Sequence, residues 1–301
     1  MGNGLALGIL LAFAAAFGFG LNQIFVRLAT QRIPGPATAF FAVTTGAVIA
    51  GTLALIFNLR DFGHLPLIAF AWFLLLAAVH GPLARTFNFT AISMIGATRA
   101  APVQSFAPIF SAAIAIVLLH ERPSLLLYLG SLIVVGGMTL VVTGGMRGRR
   151  DEPQAEFNNV GYLFAFVAAA GFGAVTVIVK YINTEFAPPL VTVTFSLSIG
   201  SILLAGLTHR QLVSSFSQSR RGHIHWSVIA GCCSGLGAIS LFSALGRAPV
   251  TVVAPIAFAA PLVSLTASYL FLRRLERINL PIVAGTVVAV SGIVLIVLGR
   301  A

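Results

Sequence analysis

His80, Arg85, Asn88, Arg99 and Gln104 fall within 25 positions of one another, inside stretches that are otherwise almost wholly apolar. A polar group carried into hydrocarbon is costly, which makes each of them a functional candidate by default. His80 stands two residues before Pro82. Proline deletes one backbone hydrogen bond and kinks a helix, which turns carbonyl oxygens toward a cavity. Histidine changes charge near neutral pH, so at such a kink it can bind a solute or carry a proton. Arg85 and Asn88 share a helical face at a spacing of i and i+3, and Arg99 lies across the short hairpin that follows. Two guanidiniums converging without a buried acid would hold a carboxylate bidentately, which favours an anionic or zwitterionic ligand. The spacing leaves open a histidine packed on a neighbouring helix and arginines that extend to the membrane–water interface.

Asn22 and Gln23 follow Gly18-Phe19-Gly20, a spacing at which helices can pack closely. They suit either a ligand or a helix-to-helix hydrogen bond. Gln104 sits between Pro102 and Pro108. With Pro82, Pro255 and Pro261, these prolines are the expected hinges, since paired kinks are one way to alternate access between two faces of a membrane. All seven acids, Asp61, Glu121, Asp151, Glu152, Glu156, Glu185 and Glu276, lie at the ends of apolar runs or between them. A carrier of cationic drugs coupled to protons needs a carboxylate in mid-membrane, so that reading is disfavoured. The sequence holds no HExxH, no intramembrane aspartate pair, no Ser–His or Cys–His arrangement, no GxxxxGK[ST] and no metal-ligand cluster. Neither an enzyme nor an ATP-driven pump is expected, and no cofactor or metal is implied. Cys232 and Cys233 are adjacent, a poor geometry for a disulfide, and read as small packing residues.

The elements that must position these side chains follow from composition. Of 301 residues, 58% are hydrophobic and only 8% charged, with a mean hydropathy of +1.01. No soluble domain could hide so much apolar surface, where about 25% charged residues is usual. The net charge of +11 comes from basic residues between apolar runs, where it orients helices in a bilayer rather than binding nucleic acid. A membrane helix needs about 20 mostly apolar residues. Such runs occupy 4–28, 36–58, 65–89, 96–119, 125–146, 159–181, 188–208, 226–247, 251–272 and 279–298. The first is too long for a signal-peptide core and reads as a retained span. The loop 209–225 is expected to be flexible or to lie on the membrane surface as a short amphipathic turn.

The chain is one unit written twice. Ala91, Thr98, Pro102, Pro108 and Ser111 recur 153 positions on as Ala244, Thr251, Pro255, Pro261 and Ser264. After a two-residue insertion, Glu121, Arg122, Gly130 and Gly137 recur as Glu276, Arg277, Gly285 and Gly292. The Glu-Arg corners are expected to cap the ends of the fourth and ninth helices. The domains are therefore 1–146 and 159–301, joined by the charged linker 147–158. Five spans per unit is an odd number, so the two units must insert with opposite orientations. The predicted fold is all-α and integral to the membrane, with ten transmembrane helices in two inverted five-helix repeats, an arrangement typical of secondary transporters. Basic residues concentrate in the loops opposite the termini, which taken literally would place the termini outside the cytoplasm, a reading that one miscounted span reverses. Polarity departs from the repeat: Arg85, Asn88, Arg99 and Gln104 correspond to Ala238, Leu241, Val252 and Ala257, and Asn22 and Gln23 to Val175 and Thr176.

The sequence resembles the drug/metabolite transporter superfamily, in its ten-helix branch of duplicated EamA-type domains. The resemblance rests on FGFGLNQIFVR (17–27) and its partner GFGAVTVIVK (171–180). It rests also on the two Pro-x5-Pro helices ending in Glu121-Arg122 and Glu276-Arg277, each followed by a glycine-rich final span. It covers almost the full length. It implies a multi-pass carrier in the cell membrane, a bacterial inner membrane, often an exporter of amino acids or related metabolites. Ala15-Ala16-Phe17 departs from the tryptophan that many relatives carry before the glycine, which argues against aromatic amino acids. A small polar metabolite and the lipid bilayer are the expected partners and a monomer the expected unit. A lipid-like, nucleoside or drug-like substrate is the alternative.

Overall fold

The computed structural model describes residues 2–30, 35–95, 103–146, 159–218, 224–271 and 280–299. Within hydrocarbon no water can satisfy the backbone, so an apolar segment pairs its own N–H and C=O groups as a helix. Every regular element among the described residues is helical. The first half contains α1 (Gly2–Thr30), α2 (Gly35–Phe57), α3 (Leu67–Ala78), α4 (Thr86–Ile95), α5 (Ala107–Leu118) and α6 (Leu125–Met146). The second contains α7 (Asn159–Glu185), α8 (Pro189–Gln218), α9 (Ile224–Leu245), α10 (Val250–Ala257), α11 (Ala260–Phe271) and α12 (Leu280–Leu298). The linker 147–158, the Glu276-Arg277 corner and the Arg27 side chain lie outside the described residues.

Among the described residues seven helices, α1, α2, α6, α7, α8, α9 and α12, are long and apolar enough to cross a membrane. The shorter apolar stretches Leu67–Gly81, Ala107–Leu118 and Val250–Ser264 stand where the sequence predicts the third, fourth and ninth spans. Of the ten expected spans, seven are thus single long helices among the described residues and three are interrupted runs. A π-helical turn, Val79–Arg85, breaks the third. Turns at Ser105–Phe106 and Phe258–Ala259, again 153 positions apart, precede α5 and α11. The loop expected over 209–225 is also partly helix, because α8 continues to Gln218. No glycine or proline interrupts 207–218, so nothing stops the helix where the apolar run ends. Large apolar side chains such as Leu67, Leu280, Leu125 and Phe57 are exposed, as a lipid-facing surface requires.

Equivalent helices of the two halves run antiparallel. Along α2, Thr44 meets Ser201 hydroxyl to hydroxyl at 2.7 Å, and seven residues further on Gly51 faces Thr194. Between α6 and α12, Ser124 Oγ donates to Gly299 O at 2.5 Å, Gly130 faces Gly292, and Gly137 faces Gly285. The two halves are therefore inverted relative to each other. Contacts between them also repeat. A methyl group on Gly20 would come within 2.7 Å of Ala260 O and 2.6 Å of Val263 Cβ. One on Gly173 would come within 3.0 Å of Ala107 O and 2.9 Å of Phe110 Cβ. Each residue of the second set is the 153-position counterpart of one in the first. Thus α1 packs on α9, α10 and α11 as α7 packs on α4, α5 and the π turn, while α2 with α8 and α6 with α12 pair across the pseudo-two-fold axis.

Candidate functional site

The third apolar run places the polar residues. Pro82 has no N–H to offer the carbonyl of Ala78, and the chain widens from α3 into the π turn Val79–Arg85 before resuming as α4. Single π turns within α-helices are frequent at functional sites. Upstream, α3 is fixed on two sides. Phe73 is fully buried and stacks on Phe195 of α8, with centroids 4.5 Å apart at 8°. Trp72 packs on Tyr181 of α7 at 4.7 Å. The next turn is thereby held between α7 and α8. His80 meets Phe172 of α7 edge-on at 6.4 Å and lines a cleft toward α2 and α8.

That cleft is narrow: its cavity volume is about 10 Å³, room for about one water, and it opens onto the surroundings. His80, Gly81, Ser196 and Gly200 give it a polar and small-residue side, and Val43, Ala77, Leu197 and Leu204 an apolar one. Ser196 is only 2% exposed, and its hydroxyl has no hydrogen-bond partner among the described residues. A buried hydroxyl left unpaired costs about 1–3 kcal/mol. Val43 and Ser196 are equivalent positions, 153 apart, so the cleft adjoins the pseudo-two-fold axis.

At the matching place in the second half, the described helices pack more closely. Gly235 of α9 rests on Gly46 of α2, where a methyl group on Gly235 would come within 2.7 Å of Gly46 Cα. The corresponding residues on the other side of the axis are Pro82 and Ile199. Two glycines let backbones touch, and the first half has a proline and the second an isoleucine at the counterpart positions. Accordingly α9 is a single uninterrupted helix, while its counterpart is broken by the π turn. The one-sided polarity read from the sequence coincides with one-sided geometry.

The remaining predicted residues are placed as follows. Asn88 on α4 is half-buried, and its Oδ1 is buried without a partner among the described residues. Asn22 donates its Nδ2 to Ala230 O of α9 at 2.8 Å, and Gln104 donates its Nε2 to Ala165 O of α7 at 3.2 Å. Both amides thus bond a facing helix rather than lining the cleft. Gln23 is exposed. The side chains of Arg85 and Pro82, and Arg99 and Pro102 altogether, lie outside the described residues. Among the expected hinges, Pro255 lies inside α10. Pro108 and Pro261 occupy the first turns of α5 and α11, where a missing N–H removes no helical bond. Each follows directly on a turn, so the breaks fall just before these prolines.

Ser196 was not legible as a site residue: a serine in a run with Ser198 and Ser201 gives no sign of which one faces a cleft. Glu121, expected to cap the end of its own helix, instead accepts the N–H groups that open α10 in the other half. Among the described residues no group of three or more His, Cys, Asp or Glu is placed to hold a metal ion.

The chain matches the EamA-like transporter family twice, over residues 6–143 and 159–298. No curated protein matches it. A solved structure titled only "Crystal structure of protein" shares its fold at a TM-score of 0.78 and 18% identity, covering 97% of each chain.

Proposed function

We propose that this chain, which belongs to the EamA-like transporter family, is a secondary carrier that moves a small polar metabolite, an amino acid or related zwitterion or anion, out of the cell by alternating access. The observation that carries the reading is the cleft at the break in the third span. Polar and geometric asymmetry meet there, beside the axis that relates two otherwise matched halves. Inverted repeats generate two alternative mouths around one site near the bilayer midplane, and a site that recognises a particular solute must break that symmetry. His80 and Ser196 supply hydrogen-bonding groups to the cleft, and Arg85, on the same π turn, supplies a cation close by in sequence. No acid lies in the middle of a span to oppose it, which favours a solute bearing a carboxylate. The outward direction follows the exporters that the sequence resembles.

The test is counterflow in proteoliposomes loaded with unlabelled solute, across a panel of labelled amino acids and small organic anions, with and without a pH gradient. The reading predicts saturable exchange for at least one carboxylate-bearing solute. In Ser196→Ala and His80→Ala, KM should rise about fivefold, the equivalent of roughly 1 kcal/mol per lost hydrogen bond. A rate insensitive to the gradient, and equally so in His80→Ala, would remove any proton-carrying role for the histidine. Exchange of nucleosides, lipid-like or drug-like compounds with no exchange of amino acids or anions would overturn the substrate class.

A further inference from the structure

A second site of contact between the halves lies at the end where both termini emerge. After α5 the backbone turns through His120, whose φ of 53° is left-handed, and Glu121 N–H returns to Ala115 O at 3.4 Å. The turn directs the Glu121 carboxylate out of its own repeat. Oε1 accepts the backbone N–H of Val250 at 2.7 Å. Oε2 accepts the N–H of Thr251 at 3.0 Å and its hydroxyl at 2.8 Å. Val250 and Thr251 open α10, whose first N–H groups have no intrahelical acceptor and whose dipole favours an anion. One carboxylate from the first half thus caps a helix of the second, 129 and 130 positions away.

The surroundings support the same closure. Lys180 of α7 interacts electrostatically with Glu121 and donates its Nζ to Ala248 O, two residues before α10, at 3.2 Å. Asn183, one turn on, donates to Phe242 O of α9 at 2.8 Å. The elements joined by the carboxylate also contain the breaks. Glu121 stands beyond the end of α5 remote from the turn at Ser105–Phe106. Val250 and Thr251 stand at the end of α10 remote from the turn at Phe258–Ala259. Bending at either turn moves the joined ends most.

We propose that Glu121 is a latch: its three hydrogen bonds to Val250 and Thr251 hold α5 to α10 and keep the terminal-side mouth closed, and the mouth opens when they break. The latch rests on the alternating-access reading above, but its test does not require a substrate. Arg122 and Arg247 are both exposed and flank the contact from opposite halves. Spin labels are attached through Arg122→Cys and Arg247→Cys in a Cys232→Ser, Cys233→Ser background, and the interlabel distance is measured by pulsed electron resonance in lipid nanodiscs. The parent should give one dominant short distance. Glu121→Gln keeps one acceptor oxygen but turns an NH₂ toward the Val250 and Thr251 donors, and should add a longer population. Thr251→Val is nearly isosteric, leaves the carboxylate in place, and should add a smaller one. Distributions unchanged from the parent in both variants would overturn the latch. If Glu121→Gln is not monodisperse, Thr251→Val decides alone, in the same two directions. A parent that shows no counterflow for any solute would instead count against the carrier reading.

Discussion

At the scale of single residues, the amides divide by what they bond. Asn22 ties α1 to α9 through Ala230 O, and such interhelical bonds within a membrane are worth about 0.6 kcal/mol on average and up to roughly 1.7. Asn22→Ala should therefore lower thermal stability in detergent by about that amount, while Gln23→Ala, an exposed neighbour, should leave it unchanged. Loss of exchange by Asn22→Ala at full stability would identify Asn22 as a solute ligand instead. The sequence marks Asn22, Gln104 and His80 alike, as polar groups in apolar runs. What separates them is which helix each faces, and that depends on contacts 61 to 208 positions away. Ser196 is the reverse case, ordinary in sequence and distinguished only by burial beside His80.

At the scale of elements, helix existence was readable and helix continuity was not. Among the described residues seven of the ten apolar runs became single helices, α8 running ten residues past its expected end. The π turn had a local signal in Gly81-Pro82. Its counterpart has Gly235 where the first half has Pro82, but the contact of Gly235 with Gly46 had no sequence signal. Close approach makes its own prediction in α6, where Gly136 and Gly137 are adjacent. A methyl group on Gly137 would come within 2.7 Å of both Ala289 Cα and Gly285 O, whereas one on Gly136 meets nothing within 4 Å. Gly137→Ala should destabilise the α6–α12 pair by about 1–3 kcal/mol, as overpacking does. Gly136→Ala should be neutral or stabilising by up to about 1 kcal/mol, the difference in helix propensity. Melting in detergent checks both, and equal melting temperatures for the two variants would mean that this helix pair is not closely packed.

At the scale of the whole molecule, duplication and inversion were legible because repeats at a near-constant offset and an odd number of apolar runs in each repeat constrain topology without any knowledge of contacts. The role of Glu121 was not: the expected cap on the end of its own helix gives way to a cap on the start of α10, because a carboxylate suits free N–H groups and these lie in the other half. Together these features describe two matched halves, a carboxylate of one capping a helix of the other, and an asymmetric cleft beside the axis. The central claim is that the cleft holding His80 and Ser196 opens in turn to each side of the membrane. Ser196→Cys in the background lacking Cys232 and Cys233 tests it directly. A membrane-impermeant maleimide is applied from one face or the other of sealed, oriented vesicles. Alternating access predicts labelling from both faces, slowed by a transported solute, with Glu121→Gln shifting reactivity toward the terminal side. Labelling from one face only, unaffected by solute and by Glu121→Gln, would contradict it.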